Sequence, residues 1–242
     1  MQADPTFDLM YRGEQTIAGT VPWDIGGPQP AVQELVAHGA LRGEVLDPGT
    51  GPGHHAIYFA AQGYSATGID ASPAAIEHAR HNAQRAGVNV DFQVADATRL
   101  ADFEGRFGTV VDSAFYHVFA HDERMQARYI QALHLATAPG ARLFMFELGR
   151  HNLNGLKFDG LPANNFSRLL DTNGWRLDYL GTSTYVGTFG PRALDFLSQM
   201  DSNDGVAPQM KTLPGQLAVL QPELENHRLH LPMWSVAATR LD

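Results

Sequence analysis

Val45-Leu46-Asp47-Pro48-Gly49-Thr50-Gly51-Pro52-Gly53 is the stretch on which the fold turns. An apolar start, an acid and then glycines at alternate positions read as a strand passing through a tight loop into a helix. Without a Cβ, glycine lets the backbone turn sharply and come close to a ligand. The helix that follows reads as His54–Gln62. Upstream, helix Pro30–His38 leads into strand Glu44–Leu46. Downstream, strand Ser65–Ile69 is followed by Ser72-Pro73, an N-cap serine with proline at the first helical position. That helix stops at Gly87. Strands Val90–Val94 and Thr109–Asp112, a helix from about Asp122 and strand Leu143–Glu147 continue the alternation. Such alternation predicts an α/β fold with a mostly parallel sheet covered on both faces.

The two ends differ. Residues 1–28 are turn-rich and without period, and read as an N-terminal flap before a core at 29–150. After a helix near Asn164–Thr172 come two extended runs, Trp175–Val186 and His230–Arg240, expected as an antiparallel C-terminal pair. Residues 187–229 form an insertion before the last strand, with helical patches at Arg192–Met200 and Leu213–Leu220. Long insertions in compact domains are usually functional or mobile, so this one reads as an acceptor lid within a single domain.

Composition limits the chemistry. The 242 residues suit one α/β domain with an insertion, and 44% hydrophobic residues suffice for its core. No run is apolar for long enough to cross a membrane, and the start lacks the form of a secretory signal, so a soluble cytoplasmic protein is expected. The absence of cysteine excludes disulfides, thiolate zinc sites and cysteine nucleophiles. Only two lysines, Lys157 and Lys211, are available for lysine chemistry. A net charge of −9 disfavours nucleic acid and anionic membranes as partners and suits a small molecule.

Acids punctuate the strand ends. Asp47 can order the glycine loop or accept from a cationic amino group. Asp70, seventeen positions after Gly53, ends the second strand, where a carboxylate can accept from both ribose hydroxyls. Asp96, in Val94-Ala95-Asp96-Ala97, can accept from an adenine amino group. Gly51-Pro52-Gly53-His54-His55-Ala56 also fits a dinucleotide fingerprint. Against a nicotinamide cofactor stand the extra glycine, the acid beside the loop, which an incoming pyrophosphate would disfavour, and the lack of a Tyr-x-x-x-Lys pair.

The run Val45–Arg80, the Asp96-Ala97 pair and Phe107–Phe119 resemble the class I S-adenosylmethionine-dependent methyltransferases, over roughly residues 20–150. The resemblance implies a Rossmann-like sheet with S-adenosylmethionine as cofactor. It places Gly49, Gly51 and Gly53 beside the methionine part, Asp70 with Ala71 at the ribose, and Asp96 with Ala97 at the adenine. Thr50 and Pro52 stand where many members have cysteine and threonine, and both changes keep the glycines. Pro22-Trp23-Asp24-Ile25-Gly26-Gly27-Pro28-Gln29-Pro30 and Asp112-Ser113-Ala114-Phe115-Tyr116-His117-Val118-Phe119 are similar to small-molecule methyltransferases of the thiopurine and tellurite-resistance type. They look closest to the bacterial heterocyclic toxin methyltransferases. That implies O- or N-methylation of a heteroaromatic compound such as an alkylquinolone, with Trp23 covering the cofactor.

Ligands in such sheets lie beyond the carboxyl ends of the strands, so Asp112–His117 should face the methyl group. His117 is the candidate general base, because imidazole titrates near working pH; a histidine packed under the next helix is the plain alternative. Asp112 is assigned to the cofactor side. Phe115, Tyr116, Tyr11 and Trp234 are candidate acceptor contacts, Arg12 a weaker one, and Phe158, Tyr185, Met200 and Met210 are further apolar candidates or core. The pairs His54/His55, His78/His81 and His117/His121 lack a third ligand in a known motif, so no metal is expected. The sequence leaves open a homodimer, a binding module without activity, and a thiol, metalloid or protein acceptor.

Overall fold

The computed structural model describes residues 8, 11, 12, 22–153, 155, 160–190 and 213–242. Helix α1 (Pro30–Ala37) precedes β1 (Val45–Pro48), α2 (His54–Ala61), β2 (Ala66–Asp70), α3 (Pro73–Ala86) and β3 (Asp91–Val94). Then follow β4 (Phe107–Ser113), α4 (Glu123–Ala136), β5 (Thr137–Leu148), α5 (Ala163–Asp171), β6 (Trp175–Thr188), α6 (Leu213–Leu220) and β7 (Arg228–Arg240). Short 3-10 turns at Ala101–Phe103, Tyr116–Phe119, Gln221–Glu223 and Glu225–His227 were not foreseen from sequence.

The strands form one seven-stranded sheet in the order β3-β2-β1-β4-β5-β7-β6. Pairing is parallel from β3 through β5, while β7 runs antiparallel to both β5 and β6. Alternating side chains of the strands feed two cores. Leu46, Val110, Leu143 and Met145 pack under α4 and α5 with Tyr129, Phe166 and the fully buried Trp175. Val45, Val111, Phe144 and Phe146 pack on the other face against Val32, Phe59 and Ile76 of α1, α2 and α3. The caps act as read: Ser72 Oγ accepts from Ala75 N at 3.1 Å, and Gly87 ends α3 in the left-handed conformation.

β5 is longer than expected. It begins directly after α4, and Thr137 makes the join by donating its hydroxyl to the Leu133 carbonyl. The segment ahead of Leu143 is strand as well, with Pro139 and Gly140 exposed.

Of the flap, Asp8, Tyr11, Arg12 and 22–28 are described, and of the insertion 187–190 and 213–229. The helical patch at 192–200 and Lys157, Phe158, Met200, Met210 and Lys211 lie outside the described residues. Gln29 ties the end of the flap to β6: its amide accepts from Val186 N at 2.8 Å and donates to Val186 O at 2.9 Å. Thr188 N donates to Pro22 O beside it. Among the described residues, no helix is long and apolar enough to cross a membrane.

Candidate active site

The carboxyl ends of β1, β2, β4 and β5 bring four acids to one edge of the sheet. Asp47, at 2% exposure, lies beneath the glycine loop. Its Oδ2 accepts from Thr50 Oγ1 at 2.6 Å and from Ala56 N at 3.2 Å, so it orders the loop and the start of α2. Burial pushes its carboxyl up to about 7. An acid whose folded pKa is raised prefers its protonated form in the native state. Its contribution is therefore intact below the unfolded value near 4 and is lost as pH climbs from there to about 7. The urea midpoint should decline across that window, and Asp47→Asn should flatten the decline. An equal slope in both proteins would remove Asp47 as its source.

Gly49 and Gly51 both have positive φ, 68° and 51°. A Cβ at Gly49 would overlap the Phe115 ring, and one at Gly51 would sit 2.7 Å from the Tyr11 hydroxyl. The loop is thus pressed by Phe115 from the β4 side and by Tyr11 from the flap. Gly53 caps α2 in the left-handed conformation, with Phe92 and Ala79 filling the space a side chain would need.

Asp70 accepts from Gly51 N through Oδ2 at 3.0 Å and from Ser72 N through Oδ1 at 2.9 Å, and burial raises its carboxyl above the usual range. Ala71 beside it is exposed. Asp96 Oδ1 accepts from Thr98 N and Oγ1, and Ala97 is buried in the core. On the flap, Asp8 accepts from Ser72 Oγ at 2.7 Å and pairs with Arg12 at 2.7 Å, which docks the flap on the start of α3. Asp24 meets His54 Nε2 at 2.9 Å, and Trp23, 37% exposed, interacts with Tyr11. Tyr11, read as an acceptor contact, therefore packs on the glycine loop at Gly51.

After β4 the chain kinks at Ala114, whose φ of 63° is left-handed without being glycine. The kink aims three consecutive amides at two buried carboxylates. Asp112 Oδ1 accepts from Phe115 N at 3.0 Å and Tyr116 N at 3.3 Å, while Oδ2 accepts from Tyr129 Oη at 2.8 Å. Glu147 Oε1 accepts from Tyr116 N at 2.7 Å, and its Oε2 meets both His117 N at 3.1 Å and His117 Nδ1 at 2.9 Å. Burial first, and then the neighbouring Glu147, hold the Asp112 carboxyl well above its usual range.

Two sequence assignments change here. Asp112, assigned to the cofactor, is wholly buried with both oxygens engaged, and it shapes the 115–117 segment instead. Tyr116, a candidate wall, is 1% exposed, donates its hydroxyl to Asn165 Oδ1 at 3.0 Å and is core. Tyr185 is likewise buried core. Phe115 is half-buried between Gly49, Phe119 and Tyr129. His117 keeps 33% of its side chain exposed. Trp234 lies opposite Glu147 in the β5–β7 register, donates to Leu161 O at 2.7 Å and packs on His151. Glu147 was missed altogether. Its signal is a lone acid closing the apolar run Leu143-Phe144-Met145-Phe146. Among the described residues, no three His, Asp or Glu side chains gather as a metal site.

Residues 45–140 match the family described as "Methyltransferase domain". A "2-heptyl-1-hydroxyquinolin-4(1H)-one methyltransferase" of Mycobacteroides abscessus is 41% identical over 138 residues, which cover 56% of this chain and 60% of that relative. A solved structure described as "Conversion of a Disulfide Bond into a Thioacetal Group during Echinomycin Biosynthesis" is 29% identical with a TM-score of 0.76, covering 98% of this chain and 92% of that one. The 1,6-didemethyltoxoflavin-N1-methyltransferase of Burkholderia thailandensis, solved with its heterocycle and S-adenosylhomocysteine, shares the fold at 20% identity and a TM-score of 0.56, over 88% of this chain and 77% of that one. With this sheet order, this glycine loop and these matches, residues 45–140 form a methyltransferase domain, and the chain is similar to S-adenosylmethionine-dependent methyltransferases.

Proposed function

We propose that the protein transfers the methyl group of S-adenosylmethionine to an oxygen or nitrogen atom of a small heteroaromatic acceptor of the hydroxyquinolone kind. The observation that carries this reading is the contact of Phe115 with Gly49. It sets the segment leading to His117 against the glycine loop, so ligands held by the loop and by that segment meet at one edge of the sheet. The hydroxyquinolone methyltransferase among the relatives supports the acceptor class.

The residues present fit the cofactor. Gly49, Gly51 and Gly53 leave backbone open where side chains would block it. Each Asp70 oxygen accepts one amide and keeps a lone pair for a ribose hydroxyl. Asp96 and Ala97 follow β3, on the adenine side, and Ala71 flanks the ribose. The acid-rich edge suits a cation. When bound, the cofactor supplies an electrophilic methyl carbon on a sulfonium. Trp23 and Tyr11 cover the loop and exclude water, which favours transfer over hydrolysis. His117 accepts the acceptor's proton as the oxygen or nitrogen closes on that carbon, and Phe115 and Trp234 line the aromatic ring's position. The acidic balance suits a small partner in the cytoplasm rather than nucleic acid or membrane, with the residues around 213–229 contributing to a lid.

A second reading, a sulfur acceptor, is favoured by the similarity to the structure concerned with thioacetal formation. A thioether or disulfide sulfur carries no proton, so methyl transfer to it removes none from the accepting atom and that step needs no base. Incubation with S-adenosylmethionine and a panel of hydroxyquinolones, phenols and sulfur compounds, read as S-adenosylhomocysteine and methylated product, separates the two. Turnover of sulfur compounds alone would replace the first reading with the second.

The ribose assignment has its own test. A charge-assisted hydrogen bond contributes about 1.5–3 kcal/mol. Asp70→Ala should therefore weaken S-adenosylhomocysteine binding by at least about tenfold in calorimetry, without unfolding the protein. Unchanged affinity would take Asp70 out of the site.

A further inference from the structure

We propose that Glu147 is the positioning residue of His117: it holds the imidazole with Nδ1–H turned to the sheet and Nε2 presented, unprotonated, to the methyl acceptor. The inference rests on the reading of His117 as the base. Glu147 Oε2 lies 2.9 Å from His117 Nδ1 and 3.1 Å from His117 N, so one oxygen fixes both the ring and the backbone that carries it. A carboxylate can only accept, so the ring nitrogen facing it must donate. That leaves Nε2 with its lone pair. The ring is partly exposed while Glu147 is fully buried, so the restraint comes from the protein interior and the reactive side from the open edge.

Asp112 makes this arrangement tolerable. Two carboxylates side by side in a buried site cannot both carry full charge. Asp112 and Glu147 share the Tyr116 amide. Burial and the adjoining Glu147 favour the uncharged form of Asp112, and of the two acids it is Glu147 that touches the imidazole. Glu147 is the group that meets the His117 ring, and Asp112 of β4, Tyr116 of the turn and Tyr129 of α4 lie around that carboxylate. Farther out lies the Glu123–Arg168 ion pair between α4 and α5. As the acceptor O–H or N–H gives up its proton to Nε2, the imidazolium forms beside the Glu147 carboxylate. The new bond to the methyl carbon forms as the carbon–sulfur bond breaks, and the leaving sulfur keeps the electron pair.

Glu147→Gln keeps the volume but replaces one oxygen with an N–H donor. Where that donor faces Nδ1, the ring must turn its proton to Nε2 and can no longer accept there. Turnover of a hydroxyquinolone should fall by about 10–100-fold, and the acid limb of the pH–rate profile should move to lower pH as the imidazole loses its charged partner. Glu147→Asp should recover part of the rate. A role limited to structure would scale the rate equally at all pH values and leave the limb in place. Nitrogen-15 NMR of the wild-type imidazole supplies a measurement that needs neither a variant nor turnover. Nδ1 should be protonated and Nε2 bare at alkaline pH. The opposite tautomer overturns the proposal, and so does wild-type rate and profile in Glu147→Gln when His117→Ala is inactive. An active His117→Ala would instead remove the base reading itself.

Discussion

Replacing His117 with alanine is expected to lower turnover of a phenolic or hydroxyquinolone acceptor by about 10²–10⁴-fold, the range that general-base catalysis contributes. Affinity for S-adenosylhomocysteine should hardly change, because Asp70, Asp96 and the glycine loop lie on other strands of the edge. The loss should also depend on pH. Near neutrality the acceptor keeps its proton and the missing imidazole is felt in full. As pH rises toward the acceptor's own pKa, a growing fraction arrives ionised and needs no base, so the variant should recover. Kinetics from pH 6.5 to 9.5 with acceptors of graded acidity will read this directly. A deficit that stays constant across that range would mean that the ring serves only to pack the 3-10 turn. Full activity at neutral pH would mean that alignment and water exclusion carry the transfer alone.

Gly49→Ala should cost the protein both stability and its cofactor. A left-handed alanine is unfavourable by about 1–2 kcal/mol. The added Cβ also overlaps the Phe115 ring, and overpacking of this kind costs about 1–3 kcal/mol. The ring has little freedom to retreat, with Phe119 and Tyr129 both in edge contact with it. A combined loss of about 3 kcal/mol would lower the melting temperature by about 6–12 °C in a domain of this size. If the loop shifts instead of the ring, the same energy appears as cofactor affinity weakened by about 100-fold. Calorimetry and thermal melts on one preparation would apportion the cost. A variant normal in both would show that Phe115 and the loop are not in the contact described.

The comparison of Asp47 with Glu147 shows what the sequence makes legible. The role of Asp47 is local: Thr50 and Ala56, within nine positions, are its partners, and the glycine spacing announces the loop they build. Caps at Ser72 and Gly87 and the alternation of strands and helices are local in the same sense, so the sheet and its helices could be anticipated. Glu147 and His117 are thirty residues apart and meet because β4 and β5 pair with Asp112 beside Met145. No spacing rule encodes that. Tyr116 and Phe115 were equal candidates for the pocket because both are aromatic. The left-handed Ala114 decides which one turns inward, and nothing in Ser113-Ala114-Phe115 signals that geometry. Asp112 misled for a related reason. Its place at a strand end suggested a ligand contact, but the kink folds the chain's own amides back onto its carboxylate.

The antiparallel β7 carries a consequence for biosynthesis. It lies between β5 and β6, yet it follows both in the chain. When Thr188 has left the ribosome, β5 has its outer hydrogen-bonding edge bare and β6 has no partner strand among the described residues. Some forty more residues must be polymerised before Arg228 begins the strand that joins them. At about 5–20 residues per second, that is a delay of roughly 2–8 s with two long strands unpaired. Such edges are templates for pairing with other chains. The nascent protein should accordingly draw on chaperones in that interval, and ribosome-stalled chains ending before residue 228 should pellet where longer ones remain in solution.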